Sequence, residues 1–297
     1  MVDDTKPIAI LGAAGGTGRP LVAELERRGV PVRAVVRRPE QMAMFADARV
    51  ADLHDVDQIA RAIEGACVVH LIPPVFNDQE PLFAANAMVA AEAAGIARFT
   101  YHSVLHAPTP AMPHHLRKSQ VELMLRESAL VWTIIQPAMY VQTCFTFLDQ
   151  RAGAFTPPFR LDGLYNPVDL PDLIEATANI LSAGDAHAFA TYELAGTERL
   201  TPTGMGTILQ EALDPAIRTV QAPITAFAQA RASRRGLDQR QTGELVAMYR
   251  HYDGYGLPGN GHVLEMILGR SSHRFADAVR REYRASGGAS AAQRENA

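Results

Sequence analysis

The sequence predicts an α/β fold, a doubly wound parallel sheet with helices on both faces, and three observations carry that prediction. Short β-branched runs alternate with longer Ala-rich segments that repeat at helical spacing through the first half of the chain. Several of the runs are apolar on both faces, as strands covered from both sides must be. A glycine cluster separates the first run from the first helical segment.

The first strand falls at 8–11, an unbroken apolar run too short to be a helix. A helix at 16–28 follows the glycines, and the valine-rich run 32–36 makes the second strand. Pro39 opens a short helix at 39–45. The third strand is 49–51, with a helix at 56–63, and the fourth is 66–71, with an Ala-rich helix at 79–94. A fifth strand at 98–101 leads to a helix at 113–128 that Pro113 opens, and 131–135 is the sixth strand. After Gln136-Pro137 the rhythm changes. A Gly/Pro-rich segment, 153–158, runs to Tyr165-Asn166-Pro167-Val168-Asp169, a helix at 171–181 and a strand at 191–194. A capped helix opens at Thr201-Pro202, and helical text continues to Tyr283. The expected organisation is a first domain over 1–183, with a pocket-lining insertion near 138–165. A smaller, mainly helical C-terminal substrate lobe covers 184–284, and 285–297 is a flexible tail.

The chain has 297 residues, 47% hydrophobic and 20% charged, enough to bury a sizeable core. With 28 Lys+Arg against 32 Asp+Glu the formal net charge is −4, and no long basic cluster offers the field that nucleic acid or an anionic membrane needs. Cys67 and Cys144 form neither a disulfide framework nor a metal-ligand spacing. No export signal is visible, which points to a cytoplasmic location. The uncharged stretch 129–148 reaches the length of a membrane span. Gln136, Pro137, Gln142 and several Thr interrupt it, so it reads as a buried strand and a loop.

The strongest local signal is Gly12-Ala13-Ala14-Gly15-Gly16-Thr17-Gly18, a GxxGxxG between a strand and a helix. Gly12 permits the tight turn, Gly15 lets the backbone approach a pyrophosphate, and Gly18 allows close helix-to-strand packing. Ala14, Gly16 and Thr17 complete a helix N-terminus whose free N–H groups suit phosphates. It reads as the dinucleotide loop of a Rossmann fold, the other reading being a flexible strand-to-helix turn. The second strand ends Val36-Arg37-Arg38-Pro39, with no carboxylate for a ribose diol. Arg37, supported by Arg38 or Arg33, can clamp a 2′-phosphate, so NADP(H) is preferred over NAD(H). Asp52-Leu53 and Ile72-Pro73-Pro74, at the carboxyl ends of the next strands, are placed beside the adenine and its ribose, or are ordinary loop residues.

The fifth strand ends Thr100-Tyr101-His102-Ser103-Val104-Leu105-His106, and the next helix carries His114-His115-Leu116-Arg117-Lys118. With Val121-Glu122, the run Leu130-Val131-Trp132-Thr133-Ile134-Ile135-Gln136-Pro137, Tyr255-Gly256-Leu257-Pro258-Gly259-Asn260 and Leu268-Gly269-Arg270, these motifs resemble the NmrA-like group of atypical short-chain dehydrogenase/reductases. The resemblance extends to about Arg280. It implies NADP binding and a site in which Ser, Tyr and Lys, spaced YxxxK, act together. Here the Tyr position is His114.

Lys118 shares a helical stripe with His114, Val121 and Leu125, which turns it inward, where a nicotinamide ribose would satisfy it; the other reading is a lysine snorkelling from the helix edge. Ser103 either orients a substrate oxygen or caps its loop. His114 suits a general acid if its pKa stays near the ordinary value. His102 and His106 are candidate substrate contacts. No carboxylate or cysteine completes a metal set with these histidines, so no metal is expected. Pro137 is placed beside the nicotinamide, and Tyr140 either lines the substrate site or only packs.

The function expected is an NADPH-dependent oxidoreductase passing a hydride to a small, flat, largely apolar acceptor such as a quinone, enone or ketone. A non-catalytic NADP(H)-sensing regulator of NmrA type, acting on a protein partner, is the alternative. A secondary-metabolism reductase or isomerase is a further one. Lys118 and Ser103 tip the balance toward an enzyme, and a homodimer is left open.

Overall fold

The computed structural model describes residues 5–149 and 152–285. In chain order its elements are β1 (Ile8–Leu11), α1 (Gly18–Arg27), β2 (Val32–Val36), β3 (Ala48–Val50), α2 (Val56–Ile63), β4 (Val68–Leu71), α3 (Glu80–Ala93), β5 (Arg98–His102), α4 (Pro113–Glu127) and β6 (Trp132–Pro137). There follow α5 (Val141–Cys144), β7 (Leu148–Asp149), β8 (Ala154–Phe155), α6 (Leu170–Ser182), β9 (Ala190–Leu194), α7 (Pro202–Ala212), β10 (Arg218–Thr219), α8 (Ile224–Arg235), α9 (Gln239–Tyr255), α10 (His262–Leu268) and α11 (Phe275–Ala285).

The main sheet has seven strands in the order β3-β2-β1-β4-β5-β6-β9, and β1 to β6 run parallel. The chain starts at the centre, moves to one edge, then crosses back, which is the doubly wound order the sequence predicts. Alternate residues of each strand face opposite layers. Ala9, Leu11, Val69, Leu71, Phe99, Tyr101 and Ile134 pack with α2, α3 and α4 through Ile59, Ala84, Met88, Val121 and Leu125. On the other face Arg28 ties α1 to α6, donating to Asn179 Oδ1 at 2.7 Å. The wholly buried Arg98 caps the end of α6 through the carbonyls of Leu181 and Gly184.

The chain divides into two compact units, and not at a single cut. Of the described residues, the first holds those within 5–108, 114–136 and 173–192, and the second those within 109–113, 137–172 and 193–285. The sequence places one boundary at 183/184 and treats 138–165 as an insertion in the first domain. The structure instead assigns 137–172 to the second unit, because β7, β8 and β10 form their own three-stranded sheet there. Strands of two residues carry no readable alternation, so the sequence misses all three. The 39–45 helix is a 3-10 turn with no buried residue. Of the expected flexible tail, 285–297, only Ala285 lies among the described residues, and it closes α11.

In the second unit an aromatic core of Phe147, Phe155, Phe159, Tyr165, Tyr249 and Tyr252 is buried. Asp169, Asp172 and His273 bring three metal-capable atoms together. Both carboxylates already meet cations, Asp169 with Arg281 at 2.6 Å and Asp172 with Arg270 at 2.8 Å. His273 bridges them, so the cluster works as a clasp of opposite charges. No helix among the described residues is long and apolar enough to cross a membrane.

Candidate functional site

β1 ends at Leu11, and the chain turns through Gly12 at a φ of +89°. A Cβ on Gly12 would run into the Ile72 carbonyl, and one on Gly18 into the Gly12 carbonyl and the Ala13 backbone. Both positions therefore require glycine. The Gly12 and Ala13 N–H groups donate to the Val35 carbonyl at 3.2 and 3.3 Å, stitching the turn to β2. The amides of Ala14 and Gly16 make no backbone hydrogen bond among the described residues. Over this turn, within the first unit, lies a cleft of about 560 Å³. Gly12, Ala14, Gly15, Gly16 and Thr17 form one wall. Val35, Val36, Arg37 and Gln41 form the next, followed by Ala51, Asp52, Leu53 and His54. Ile72, Pro73, Pro74, Val75, Asn77 and Phe83 close it. Gly18 is buried behind the loop.

Arg37 is exposed and makes no side-chain hydrogen bond or ion pair among the described residues. A guanidinium without a partner on a cleft wall is open to an anion. Arg38 and Arg33 are not: Arg38 pairs with Glu40 at 3.2 Å off the cleft, and Arg33 is held by Asp47 at 3.0 Å and the Glu64 carbonyl. The support expected from either is thus corrected, since each has a carboxylate of its own. Across from Arg37, the His54 backbone N–H and then its ring hold the Asp52 carboxyl below its ordinary value, with Arg37 contributing at longer range. His54 stands edge-on to Phe83, with centroids 4.7 Å apart.

Ser103 and Lys118 do not line this cleft. Each is engaged by a buried glutamate to which the sequence reading gave no role. Ser103 Oγ donates to Glu122 Oε1 at 2.5 Å, where Gln136 Nε2 also donates at 2.7 Å. Lys118, on its inward stripe, gives one proton to Glu80 at 2.8 Å and another to the His102 carbonyl at 3.2 Å. Tyr101 donates to the same Glu80 oxygen at 2.5 Å, and burial followed by the Glu80 charge pushes its pKa well up. The polar partner expected for Lys118 is therefore within the protein, and the lysine does not snorkel. Glu80 at the start of α3 reads in sequence as an ordinary first-turn acid. Glu122, four residues after Lys118, sits in a motif the sequence does single out.

The histidines correct three further expectations. His114 is 6% exposed against Phe76 and His115, and burial, then the charges of His115, Lys118 and Arg117, push its pKa well below the ordinary value. A neutral imidazole at pH 7 is a poor acid, so the role of general acid does not fit. His102 turns into the interior toward His70, 5.8 Å between ring centroids, and burial lowers its pKa too. His106 sits at a φ of +56° and offers its carbonyl to His115 Nδ1 at 3.2 Å, the role of a turn residue. In the second unit, Pro137 ends β6, and Tyr140 occupies the N-cap position of α5 and bridges to Val168 through the backbone.

These buried rings set the acid limit of the fold. His70 is wholly buried, and desolvation pushes its pKa from 6.5 down to about 3. The unfolded chain takes up a proton below about pH 6.5 that the folded chain refuses. The stability His70 contributes is therefore complete above that pH and falls toward pH 3, by about 1.4 kcal/mol per pH unit. Urea unfolding at pH 7 and pH 5 should show wild type losing roughly 2 kcal/mol more than His70→Phe over that interval. Equal losses in the two chains would show that His70 does not control the acid limit.

Residues 12–146 match a family model described as NAD(P)H-binding. Among curated proteins the chain is 28% identical to quinone oxidoreductase 2 of Escherichia coli strain K12, over 66% of this chain and 71% of that one. Among solved structures, an NADPH-dependent quinone oxidoreductase from Escherichia coli, complexed with NADPH, superposes with a TM-score of 0.81 at 26% identity, covering 93% of this chain and 99% of that one. NmrA, a negative transcriptional regulator, shares the fold with a TM-score of 0.75 at 19% identity, over 95% and 98% of the two chains. The resemblance carried by the sequence motifs is borne out.

Proposed function

Taking this chain as an NmrA-like protein of the atypical short-chain dehydrogenase/reductase group, we propose that it is an NADPH-dependent oxidoreductase whose acceptor needs no proton from the protein, with quinones the leading class. The observation that carries the reading is the glycine turn facing an unpartnered Arg37 across one cleft. The turn leaves the Ala14 and Gly16 amides for a pyrophosphate, and the Arg37 fork suits a 2′-phosphate. When bound, NADPH supplies a hydride.

The acceptor class follows from where the protons are. The Ser103 hydroxyl donates its one hydrogen bond to Glu122, the Tyr101 hydroxyl donates its own to Glu80, and Lys118 is paired with Glu80. Burial pushes His114 toward its neutral form. A simple ketone becomes an alkoxide and needs a proton in the same step, which none of these groups is placed to give. A quinone becomes a delocalised phenolate that water can protonate afterwards. Ser103 retains lone pairs with which to accept a hydrogen bond.

The same internal engagement of Ser103 and Lys118 favours, as a second reading, a sensor that binds NADP(H) without turnover. The test is a fluorescence titration with NADPH and NADH, then a panel of quinones, enones and ketones while nicotinamide absorbance is followed. Oxidation by quinones and not by ketones is the expected result. Turnover of simple ketones at comparable rates would overturn the acceptor assignment, and tight binding with no oxidation by any acceptor would leave the sensor.

A further inference from the structure

The second unit contains a cavity of about 460 Å³ that this function does not use, formed in part by the Gly259-Asn260 end of a motif prominent in the sequence. Thr197 and Arg199 make one wall, Asn260, Gly261 and His262 the other. Asn166, 3% exposed, holds the two together. Its Nδ2 donates to the Gly196 carbonyl at 3.1 Å and the Glu198 carbonyl at 3.3 Å, and its Oδ1 accepts from the Gly259 N–H at 3.1 Å. A Cβ on Gly261 would strike the Thr197 backbone, so the walls meet at a fixed spacing. Such a pinned cavity is preformed and needs little ordering to take a ligand.

Its chemistry is one-sided. Among the described residues no lining side chain is a carboxylate. The nearby Glu198 is turned to Arg274 at 3.2 Å and the Phe275 N–H at 2.5 Å. Glu265 accepts from the Ser272 N–H at 3.1 Å and reaches His262 only at 4.0 Å. Arg199 is exposed and has no partner among the described residues. Asn260 Oδ1 is occupied by the His262 N–H at 3.0 Å, which leaves its amide hydrogens as donors. A surface that offers an arginine fork and an amide donor, with no carboxylate side chain among its described lining residues, is complementary to an oxyanion. The volume exceeds that of a bare phosphate and leaves room for an organic body.

We propose that this cavity binds a small organic oxyanion, a carboxylate or a phosphate monoester, held by Arg199 with the Asn260 amide. The site stands apart from the cofactor reading, because none of its residues belongs to the dinucleotide cleft.

Isothermal titration of the cofactor-free chain with benzoate and with phenyl phosphate, in a chloride buffer, tests it. Saturable one-to-one binding of at least one probe is expected, and the preferred probe identifies which oxyanion the cavity takes. Arg199→Gln, an exposed change that leaves the fold intact, should weaken that binding by about 10-fold or more, the loss of one charge-assisted hydrogen bond. Arg37→Gln should leave it unchanged. The proposal is overturned if neither probe saturates, if Arg199→Gln binds as wild type does, or if Arg37→Gln abolishes the signal, since the probe would then occupy the cofactor cleft.

Discussion

Replacing Arg37 with Asp should weaken NADPH binding by roughly 100-fold while NADH binding changes by no more than about threefold. A guanidinium on a phosphate contributes about 1.5–3 kcal/mol, and each 1.4 kcal/mol is a factor of ten. The substituted carboxylate adds repulsion beside Asp52, whose own carboxyl is already held in its charged form by His54. NADH carries a ribose hydroxyl where NADPH carries the phosphate, so it loses little and can gain an acceptor. Arg38, paired with Glu40, cannot take over without giving up that partner. The measurement is the ratio of the two dissociation constants in wild type and variant. Equal weakening of both cofactors would remove Arg37 from the phosphate site and leave the cleft without its source of cofactor preference.

What could be read in the sequence and what could not divide along a physical line. The glycine turn was legible because local geometry demands it: Gly12 needs a left-handed φ, and Gly18 has no room for a side chain. The central strands were legible because burial on both faces leaves an apolar run. Asp52, Leu53, Ile72, Pro73 and Pro74, singled out because strand ends in a parallel sheet face one crevice, lie on the cleft wall. Gln41, His54, Asn77 and Phe83 were missed, since their approach depends on loop paths that no spacing rule encodes. The roles of Ser103, Lys118 and His114 shifted for a different reason. A hydrogen bond between residues 38 positions apart, such as Lys118 to Glu80, leaves no local trace. Nor does the burial that neutralises His114, because its stripe reads the same whether the ring meets a cofactor or Phe76.

The Glu80–Lys118 pair allows structure and chemistry to be separated. Glu80 is 1% and Lys118 9% exposed, so Glu80→Leu strands a buried ammonium and also leaves the Tyr101 hydroxyl without its acceptor. The expected cost is about 3–5 kcal/mol, the usual penalty for an uncompensated buried charge. Lys118→Met alone should cost somewhat less, because Glu80 keeps the Tyr101 hydrogen bond. In the double variant Glu80→Leu/Lys118→Met both charges are gone and the volume is filled, so stability should return to within about 1–2 kcal/mol of wild type. Urea denaturation of the four chains gives the coupling energy, and additive losses would show that the pair is not coupled. Activity of the restored double variant then carries separate information. If Lys118 only holds α3 against α4, NADPH affinity recovers with stability; if the ammonium also reaches the cofactor ribose, affinity and turnover remain low in a chain that folds as well as wild type.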